Sequence, residues 1–199
     1  RADAFASLGL NRRDSLWAVK GLVGTHGAQT LPLFAAAGAP LVPPAEDAAD
    51  LPRMKPGEEV IHDYAALSLS LKGHPVQFLR PLLQARGTTR ACNLDRVASD
   101  HRIEVAGLVL VRQRPGTASG VIFATLEDET GIANVVIWPK LFADEAIRKT
   151  LLSSRMLAVR GKVQSERGVV HIIAEDMEDL TPYLLDLSHG IDIGGAGPA

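Results

Sequence analysis

The sequence predicts an α+β or all-β fold built around a five-stranded barrel, with one helix inserted between the third and fourth strands. Three observations predict it. After residue 99, short apolar runs rich in β-branched residues follow one another, a helical pattern separates the third run from the fourth, and turn residues such as Thr130-Gly131 lie between runs. The apolar runs cover residues 103–111, 121–127, 132–138, 156–162 and 169–174.

The inserted helix is predicted over residues 139–153. Pro139 suits a first helical turn, and Leu141, Ile147 and Leu151 follow it with helical spacing. The element order is therefore β-β-β-α-β-β. This is the order of the OB-fold, whose second and third strands and adjoining loops bind oligonucleotides.

The rest of the chain divides by composition. Residues 1–23 hold short apolar segments with helical spacing, and a series of prolines excludes a long helix from a linker over residues 24–57. Helical signals resume in a connector, residues 58–98, ahead of the barrel domain over residues 99–180. Residues 181–199 end in Gly-Gly-Ala-Gly-Pro-Ala and are predicted to form a flexible tail.

Charge and composition restrict the classes of function. The chain has 21 Lys and Arg against 23 Asp and Glu, a formal net charge of −2, so any nucleic-acid site must be local. The single cysteine, Cys92, excludes an internal disulfide framework and fits a reducing compartment. No run approaches the roughly 20 apolar residues that span a bilayer, so we expect a soluble, cytoplasmic protein with no membrane partner. The chain opens at Arg1 without an initiator Met, which indicates a fragment.

The second and third apolar runs place their large polar and aromatic residues on one face. Period-two alternation sends Ile122, Ala124 and Leu126 inward, together with the matching small aliphatic residues of the third run. The outer face, on the strands that an OB-fold uses for binding, then carries Phe123, Asn134 and Trp138. The two aromatic rings either stack on bases, or pack under the helix or against a neighbouring domain. The amide of Asn134 either hydrogen-bonds to the edge of a base or is a solvated residue at a sheet edge.

Basic residues of the loops are the candidate phosphate contacts. Arg112 and Arg114 lie in a Gly-rich segment after the first strand, and Arg167 lies between the fourth and fifth strands. On the fourth strand, Arg160 and Lys162 extend this basic surface.

No catalytic or metal site is predicted in this chain. The carboxylates Glu127, Asp128 and Glu129 precede Thr130-Gly131, which is ordinary turn chemistry rather than an acid/base pair. The histidines have no metal-ligand spacing, and no phosphate-loop motif is present.

The linker contains one apolar cluster, Leu31, Leu33 and Phe34. The rest of the linker consists mainly of small residues and is not expected to fold. An apolar cluster in such a segment either docks on its own protein or binds a partner as a short linear motif.

Several segments of the chain together match the pattern of one known family: Asp3-Ala4-Phe5, Leu16-Trp17-Ala18-Val19, Leu31-Pro32-Leu33-Phe34, Asp63-Tyr64, His74-Pro75, the run from Val105 to Ala118 and the run from Phe123 to Pro139. With these segments the chain resembles, over about residues 1–180, the bacterial C-family DNA polymerases of the error-prone ImuC type. The strongest likeness lies in the OB domain, and weaker likeness extends to the end of a helix-hairpin-helix region and a connector.

This resemblance implies a non-catalytic, C-terminal part of an enzyme that synthesises DNA during translesion synthesis and repair. It implies that Mg²⁺ is bound by palm carboxylates outside this chain, and that no cofactor is held here. The implied location is the cytoplasm, in association with the nucleoid. The implied partners are single-stranded DNA, the mutasome proteins ImuB and ImuA, and the sliding clamp, for which Leu31, Leu33 and Phe34 form a degenerate binding peptide.

Three functions of the OB domain remain open. The first is binding of single-stranded DNA, and the second is a protein-interaction module for mutasome partners. The third follows from a looser likeness to the anticodon-binding domain of class II aminoacyl-tRNA synthetases. There the residue matching Phe123 stacks on a base and the residue matching Asn134 reads one.

Overall fold

The computed structural model describes residues 3, 5–29, 51–116, 119–166, 168–191 and 193, with side chains in the first helix described as far as Gly21. The chain divides into two compact units, one within the first 69 residues and the other beginning at Ser70. Within the described residues, no helix has the length and apolar character needed to cross a membrane.

The first unit contains a 3₁₀ helix, Ala6–Leu8, and the helices α1 (Arg12–Gln29) and α2 (Pro56–Leu67). Buried Arg12 of α1 pairs with Asp63 of α2 at 2.7 Å, and it also donates to a backbone carbonyl of α2. Helix α1 continues beyond residue 24, where the linker was predicted to begin, because the first proline after Arg12 is at position 32.

The second unit is built on a closed five-stranded barrel, which confirms the predicted fold class. The strands follow the spatial order β1-β2-β3-β5-β4. The pair β3–β5 is parallel, and the other neighbouring pairs are antiparallel. The strand bounds are β1 Arg102–Gln113, β2 Ile122–Asp128, β3 Gly131–Ile137, β4 Met156–Glu166 and β5 Val169–Asp179.

The barrel interior is filled by the small aliphatic residues predicted for it. All six predicted inward residues of β2 and β3 are buried: Ile122, Ala124, Leu126, Ala133, Val135 and Ile137. Val136 departs from the alternation, since it faces outward yet is only 8% exposed. It is covered because its ladder partners are Phe123 on one side and Ile173 on the other.

Helices surround the barrel. They are α3 (Pro75–Ala85), a 3₁₀ helix (Ala91–Arg96), α4 (Pro139–Phe142), α5 (Glu145–Ser153) and α6 (Thr181–Ser188). The predicted single helix over 139–153 is two helices, because Asp144 caps α5 by accepting from the backbone of Ala146 at 2.8 Å. The prediction of a flexible tail from residue 181 is wrong for α6, whose Leu184 and Leu187 are buried.

Two glycines allow the barrel to close. Strand β1 pairs with β4 from Arg102 to Leu108 and with β2 from Leu108 to Gln113. At Gly107, near the changeover, an added Cβ would lie 2.5 Å from the carbonyl oxygen of Glu127. At Gly161 of β4 an added Cβ would collide with the carbonyl of Ile173. Neighbouring backbone therefore approaches both positions too closely for any side chain.

A buried ion cluster fixes the β2–β3 turn to the helices before the barrel. Arg80 of α3 donates to Asp128 at 3.1 Å and to both carboxylate oxygens of Glu129 at 2.6 and 2.7 Å. Asp128 also accepts from the backbone of Ala91, Thr130 and Gly131. The carboxylates that sequence assigns to a turn thus also anchor α3.

We expect Gly107→Ala to lower the free energy of unfolding by about 1–3 kcal/mol, because the new methyl group must displace the backbone at Glu127. Urea denaturation measures the effect. Gly116→Ala is the matched control, since nothing lies within 4 Å of a Cβ there. Equal stability of the two variants would contradict the proposed close approach.

The stability provided by Asp128 should depend on pH. Burial raises the pKa of this carboxyl. Hydrogen bonds from Thr130 and Ala91, together with the charge of Arg80, lower the pKa by a larger amount, so it lies below the ordinary value. Such a group stabilises the fold above the pKa of the unfolded chain and ceases to do so as pH falls. Asp128→Asn should therefore cost about 1–3 kcal/mol at pH 7 and progressively less toward pH 3.

Denaturant unfolding of Asp128→Asn across that pH range checks this expectation. Asp95→Asn, at an exposed position, is the control. A deficit that stays constant from pH 7 to pH 3 would contradict the role of the ionised Asp128.

Candidate nucleic-acid interface

Strands β2, β3 and β5 form one continuous outer face. Phe123 pairs with Val136, which pairs in turn with Ile173. Because directly paired residues project from the same side of a sheet, these side chains form one row across the three strands. Thr125, Asn134 and His171 form the adjacent row, in the same strand order.

Phe123 and Asn134 occupy the outer face as the alternation predicts. The Phe123 side chain is 38% exposed, so part of its ring is open to solvent. Asn134 is half-buried between its partners on the two neighbouring strands. The geometry thus offers a ring surface for stacking beside an amide that can both donate and accept.

Trp138 lies at the end of this face rather than in its middle. It directly follows β3 as the N-cap residue of α4, and it is 52% exposed. Its side chain lines an open groove of about 750 Å³ together with Lys140, Leu141, Asp144, Ala174 and Glu175. The indole is therefore a wall of this groove and is not packed away beneath a helix.

Arg112 does not belong to a phosphate-binding loop. Its guanidinium donates to the carbonyl oxygen of Leu151 at 2.5 Å and to that of Ser154, at the C-terminal end of α5. Burial lowers the pKa of Arg112, and the guanidinium remains charged. The sequence prediction failed because β1 continues to Gln113, and a register shift between Val109 and Val111 pairs Arg112 with the inward residue Ala124.

Arg114, in contrast, is exposed at the mouth of the loop. Its guanidinium lies over the ring of Phe142 in α4, 5.7 Å from the ring centroid. This stacking holds the guanidinium against α4 and does not neutralise its positive charge.

The two basic residues of β4 differ. Arg160 is paired with Glu104 at 2.8 Å and Asp176 at 3.5 Å, so its charge is largely matched by carboxylates. Lys162 pairs across the ladder with Ile173 and thereby extends the row that contains Phe123. The structure thus brings Lys162 toward the predicted site and ties Arg160 into an ion network.

Some predicted site residues lie outside the described residues. They are Arg167 in the loop between β4 and β5, and Leu31, Leu33 and Phe34 of the linker.

Sequence reasoning missed His171. This residue pairs with Asn134 across the parallel β3–β5 ladder, and its buried Nδ1 has no hydrogen-bond partner among the described residues. Its place in the fifth apolar run, between Val169 and Ile173, gave a weak signal of outward orientation. The signal was insufficient because sequence does not reveal which strand β5 pairs with.

The chain is similar to a known protein family, to individual curated proteins and to solved structures. Residues 103–180 match the family described as OB-fold nucleic acid binding domain. The chain is 50% identical over 183 residues to error-prone DNA polymerase 1 of Rhizobium meliloti, covering 92% of this chain and 16% of that protein. It is 49% identical over 193 residues to the error-prone DNA polymerase of Ruegeria pomeroyi, covering 96% and 16% respectively.

The chain therefore spans about one sixth of the length of the curated relatives that it matches. Among solved structures, asparaginyl-tRNA synthetase from Pyrococcus horikoshii is similar at 21% identity and a TM-score of 0.41. That alignment covers 47% of this chain and 23% of the synthetase.

The two arginines after β1 should separate in a stability measurement. Arg112→Met leaves the carbonyls of Leu151 and Ser154 without their donor, so the free energy of unfolding should fall by about 1–3 kcal/mol. Arg114→Met removes only an exposed stacking contact and should cost less than about 1 kcal/mol. Urea denaturation of both variants checks the contrast, and equal losses would contradict the structural role of Arg112.

Proposed function

We propose that this chain binds single-stranded DNA on the outer face of β2, β3 and β5, because residues 103–180 match the family described as OB-fold nucleic acid binding domain and the chain is 50% identical over 183 residues to part of an error-prone DNA polymerase. In this role it holds the template strand near a polymerase body. The observation that carries the proposal is the exposed ring of Phe123 beside Asn134 on that face.

The chemistry of the face supports a single strand rather than a duplex as the ligand. A single strand exposes base faces and Watson–Crick edges, and aromatic rings and amides recognise these groups. Phe123 supplies the stacking surface, and Asn134 supplies an amide in the adjacent row. In a duplex the base faces are stacked on one another and cannot reach Phe123.

Electrostatics support a modest affinity. The formal net charge is −2, so the chain as a whole does not attract phosphate. Arg114 at the loop mouth and Lys162 in the row with Phe123 supply local positive charge, whereas Arg112 and Arg160 are already engaged. Few phosphate contacts imply a shallow but measurable dependence on salt.

For the longer protein, the proposal is DNA-directed DNA synthesis past damaged template during repair. Mg²⁺ would then be held by palm carboxylates outside this chain, where it stabilises the charge that develops in phosphoryl transfer. The described residues contain no group of three or more His, Cys, Asp and Glu side chains arranged to hold a metal ion.

The proposed protein partners are ImuB, ImuA and the sliding clamp. The clamp contact rests on Leu31, Leu33 and Phe34, whose alternating apolar side chains suit a surface pocket, while Pro32 limits the freedom lost on binding. The position before Leu31 is Thr30 where such motifs favour Gln, so the contact is weak. Calorimetric titration of a peptide of residues 24–45 into purified clamp tests it, and no binding near 100 μM, a Kd worth about 5.5 kcal/mol, rejects it.

Phe123→Ala should weaken binding of a labelled single strand by about 1–3 kcal/mol, because one base loses its stacking surface. Fluorescence anisotropy measures the Kd. The domain should remain folded, since Phe123 is partly exposed and does not contribute to the barrel interior.

Leu185→Ala is the control, because this similarly exposed apolar side chain lies on α6 and away from the proposed face. The assignment of Phe123 is rejected if its variant binds DNA as tightly as the parent does. It is equally rejected if the variant unfolds at much lower urea concentration, which would make Phe123 a structural residue.

A further inference from the structure

The outer face of the barrel continues past the end of β3. The backbone of Trp138 is extended, with φ −72° and ψ 150°, so the alternation that turns Asn134 and Val136 outward reaches this residue as well. Phe123 pairs with Val136, and Trp138 lies two residues farther along the same strand direction. Residues in this diagonal relation are about 7–8 Å apart, within reach of aromatic side chains. Phe123 and Trp138 therefore occupy neighbouring positions on one surface.

The groove beside Trp138 has the size and lining of a site for a base. Its volume of about 750 Å³ lies within the range of about 300–1,000 Å³ that is usual for ligand sites. Apolar side chains of Pro139, Leu141 and Ala174 line it together with the indole. The Trp138 side chain makes no capping hydrogen bond to α4 and is 52% exposed. Its ring is therefore open to stacking by the flat face of a base.

Both carboxylates of the groove are engaged by the protein itself. Arg102 donates to the two oxygens of Glu175 at 2.8 and 3.2 Å, which balances the charge of that carboxylate. Asp144 accepts from the backbone of Ala146 and Ile147 at 2.8 and 3.1 Å, where the N-terminus of α5 offsets its charge. The negative charge in the groove is thus largely compensated, and a phosphate can approach it.

Two cations lie beside the segment that begins at Trp138. Lys140 is exposed and lines the groove. Arg114 reaches the same segment from the end of β1, because an added Cβ at Gly120 would lie 3.4 Å both from its Nη2 and from Cγ of Pro139. Both side chains are therefore placed to contact the phosphates of a nucleotide whose base is stacked on Trp138.

We infer that this groove is a second nucleotide subsite, so that two successive bases of a single strand stack on the protein, one on Phe123 and the next on Trp138. Successive nucleotides of a stacked strand rise by about 3.4 Å, and the separation of the two positions is about twice that rise. It therefore suits an extended strand whose neighbouring bases have parted from one another. The inference rests on the proposed function and extends it from one stacked base to two.

Two labelled 12-nucleotide strands of equal charge and composition test the inference. Each contains six thymidines and six abasic units, arranged either as separated thymidine pairs or in strict alternation. Only the paired strand can fill both rings with successive bases. Anisotropy titrations should show the paired strand binding about tenfold tighter than the alternating strand, because one further base is stacked.

Variants of the full 199-residue chain assign this preference to the groove. Trp138→Ala should bring the Kd values of the two strands to within about twofold of each other, whereas Trp138→Phe keeps a ring and should retain the preference. Trp17→Ala is the matched control, because this tryptophan of α1 is 53% exposed, against 52% for Trp138. It should leave the ratio of the two Kd values unchanged. Urea denaturation checks that each variant is folded.

The phosphate contact has its own pair of variants. Lys140→Gln should weaken the binding of both strands and reduce the slope of log K against log salt by about 0.7, the value for one phosphate of a single strand. Lys149→Gln is the control, since this exposed lysine lies on α5 and does not line the groove. Equal slopes for the two variants would overturn the assignment of Lys140.

Stacking on the indole can be observed directly. The chain has two tryptophans, so Trp17→Phe leaves Trp138 as the only source of indole fluorescence. Saturation with the paired strand should quench this fluorescence, because a base then lies against the ring. Unchanged fluorescence at saturation would overturn the inference, and this result does not depend on the stability of any Trp138 variant.

The outcomes separate the two claims. No binding of either strand, or of a fully thymidine strand, by the parent overturns the proposed function and this inference with it. Binding of the paired and alternating strands with equal Kd values overturns the inference alone. A preference for the paired strand that survives Trp138→Ala, or that is equally lost in Trp17→Ala, also overturns it.

Discussion

The close approach of backbone at Gly107 and Gly161 is the constraint on which the second unit depends. Strand β1 serves two partners, β4 along its first half and β2 along its second, and Gly107 lies where the change occurs. Without a side chain there, the carbonyl of Glu127 can approach β1 closely. Aliphatic residues fill the interior of the closed sheet, whereas Phe123, Asn134 and Trp138 lie outside it.

The proposed interface follows from that division. Closure brings β5 alongside β3, so His171 and Ile173 join Asn134 and Phe123 on one face formed by three strands. In the same closed sheet, β5 has one extra residue, Glu175, which lacks a ladder partner on β4. Glu175 lines the groove together with Trp138 at the end of β3 and with residues of α4. The ion cluster of Arg80 with Asp128 and Glu129 then holds the turn between β2 and β3 in place, at the opposite end of those strands from Trp138.

The faces of β2 and β3 could be predicted from the sequence because they depend on local periodicity. Alternation identified the inward residues of β2 and β3 and the outward Phe123 and Asn134, since a pleated strand allows only two faces. Features that depend on which strands pair, and in which register, could not be predicted from the sequence. The register shift that turns Arg112 inward and the parallel partner that places His171 beside Asn134 both arise from contacts between distant segments. The helix α6 was missed because its glycine-rich continuation obscured the spacing of Leu184 and Leu187.

The proposed function of the outer face of β2, β3 and β5 is the binding of single-stranded DNA. Its most direct test is an anisotropy titration of the unmodified chain with a labelled single strand and with the same strand annealed to its complement, each at low and at moderate salt. The account predicts tighter binding of the single strand at both salt concentrations, with a modest decrease as salt rises because few phosphates are contacted. Equal affinity for the duplex, or no binding of the single strand up to about 100 μM, would contradict it.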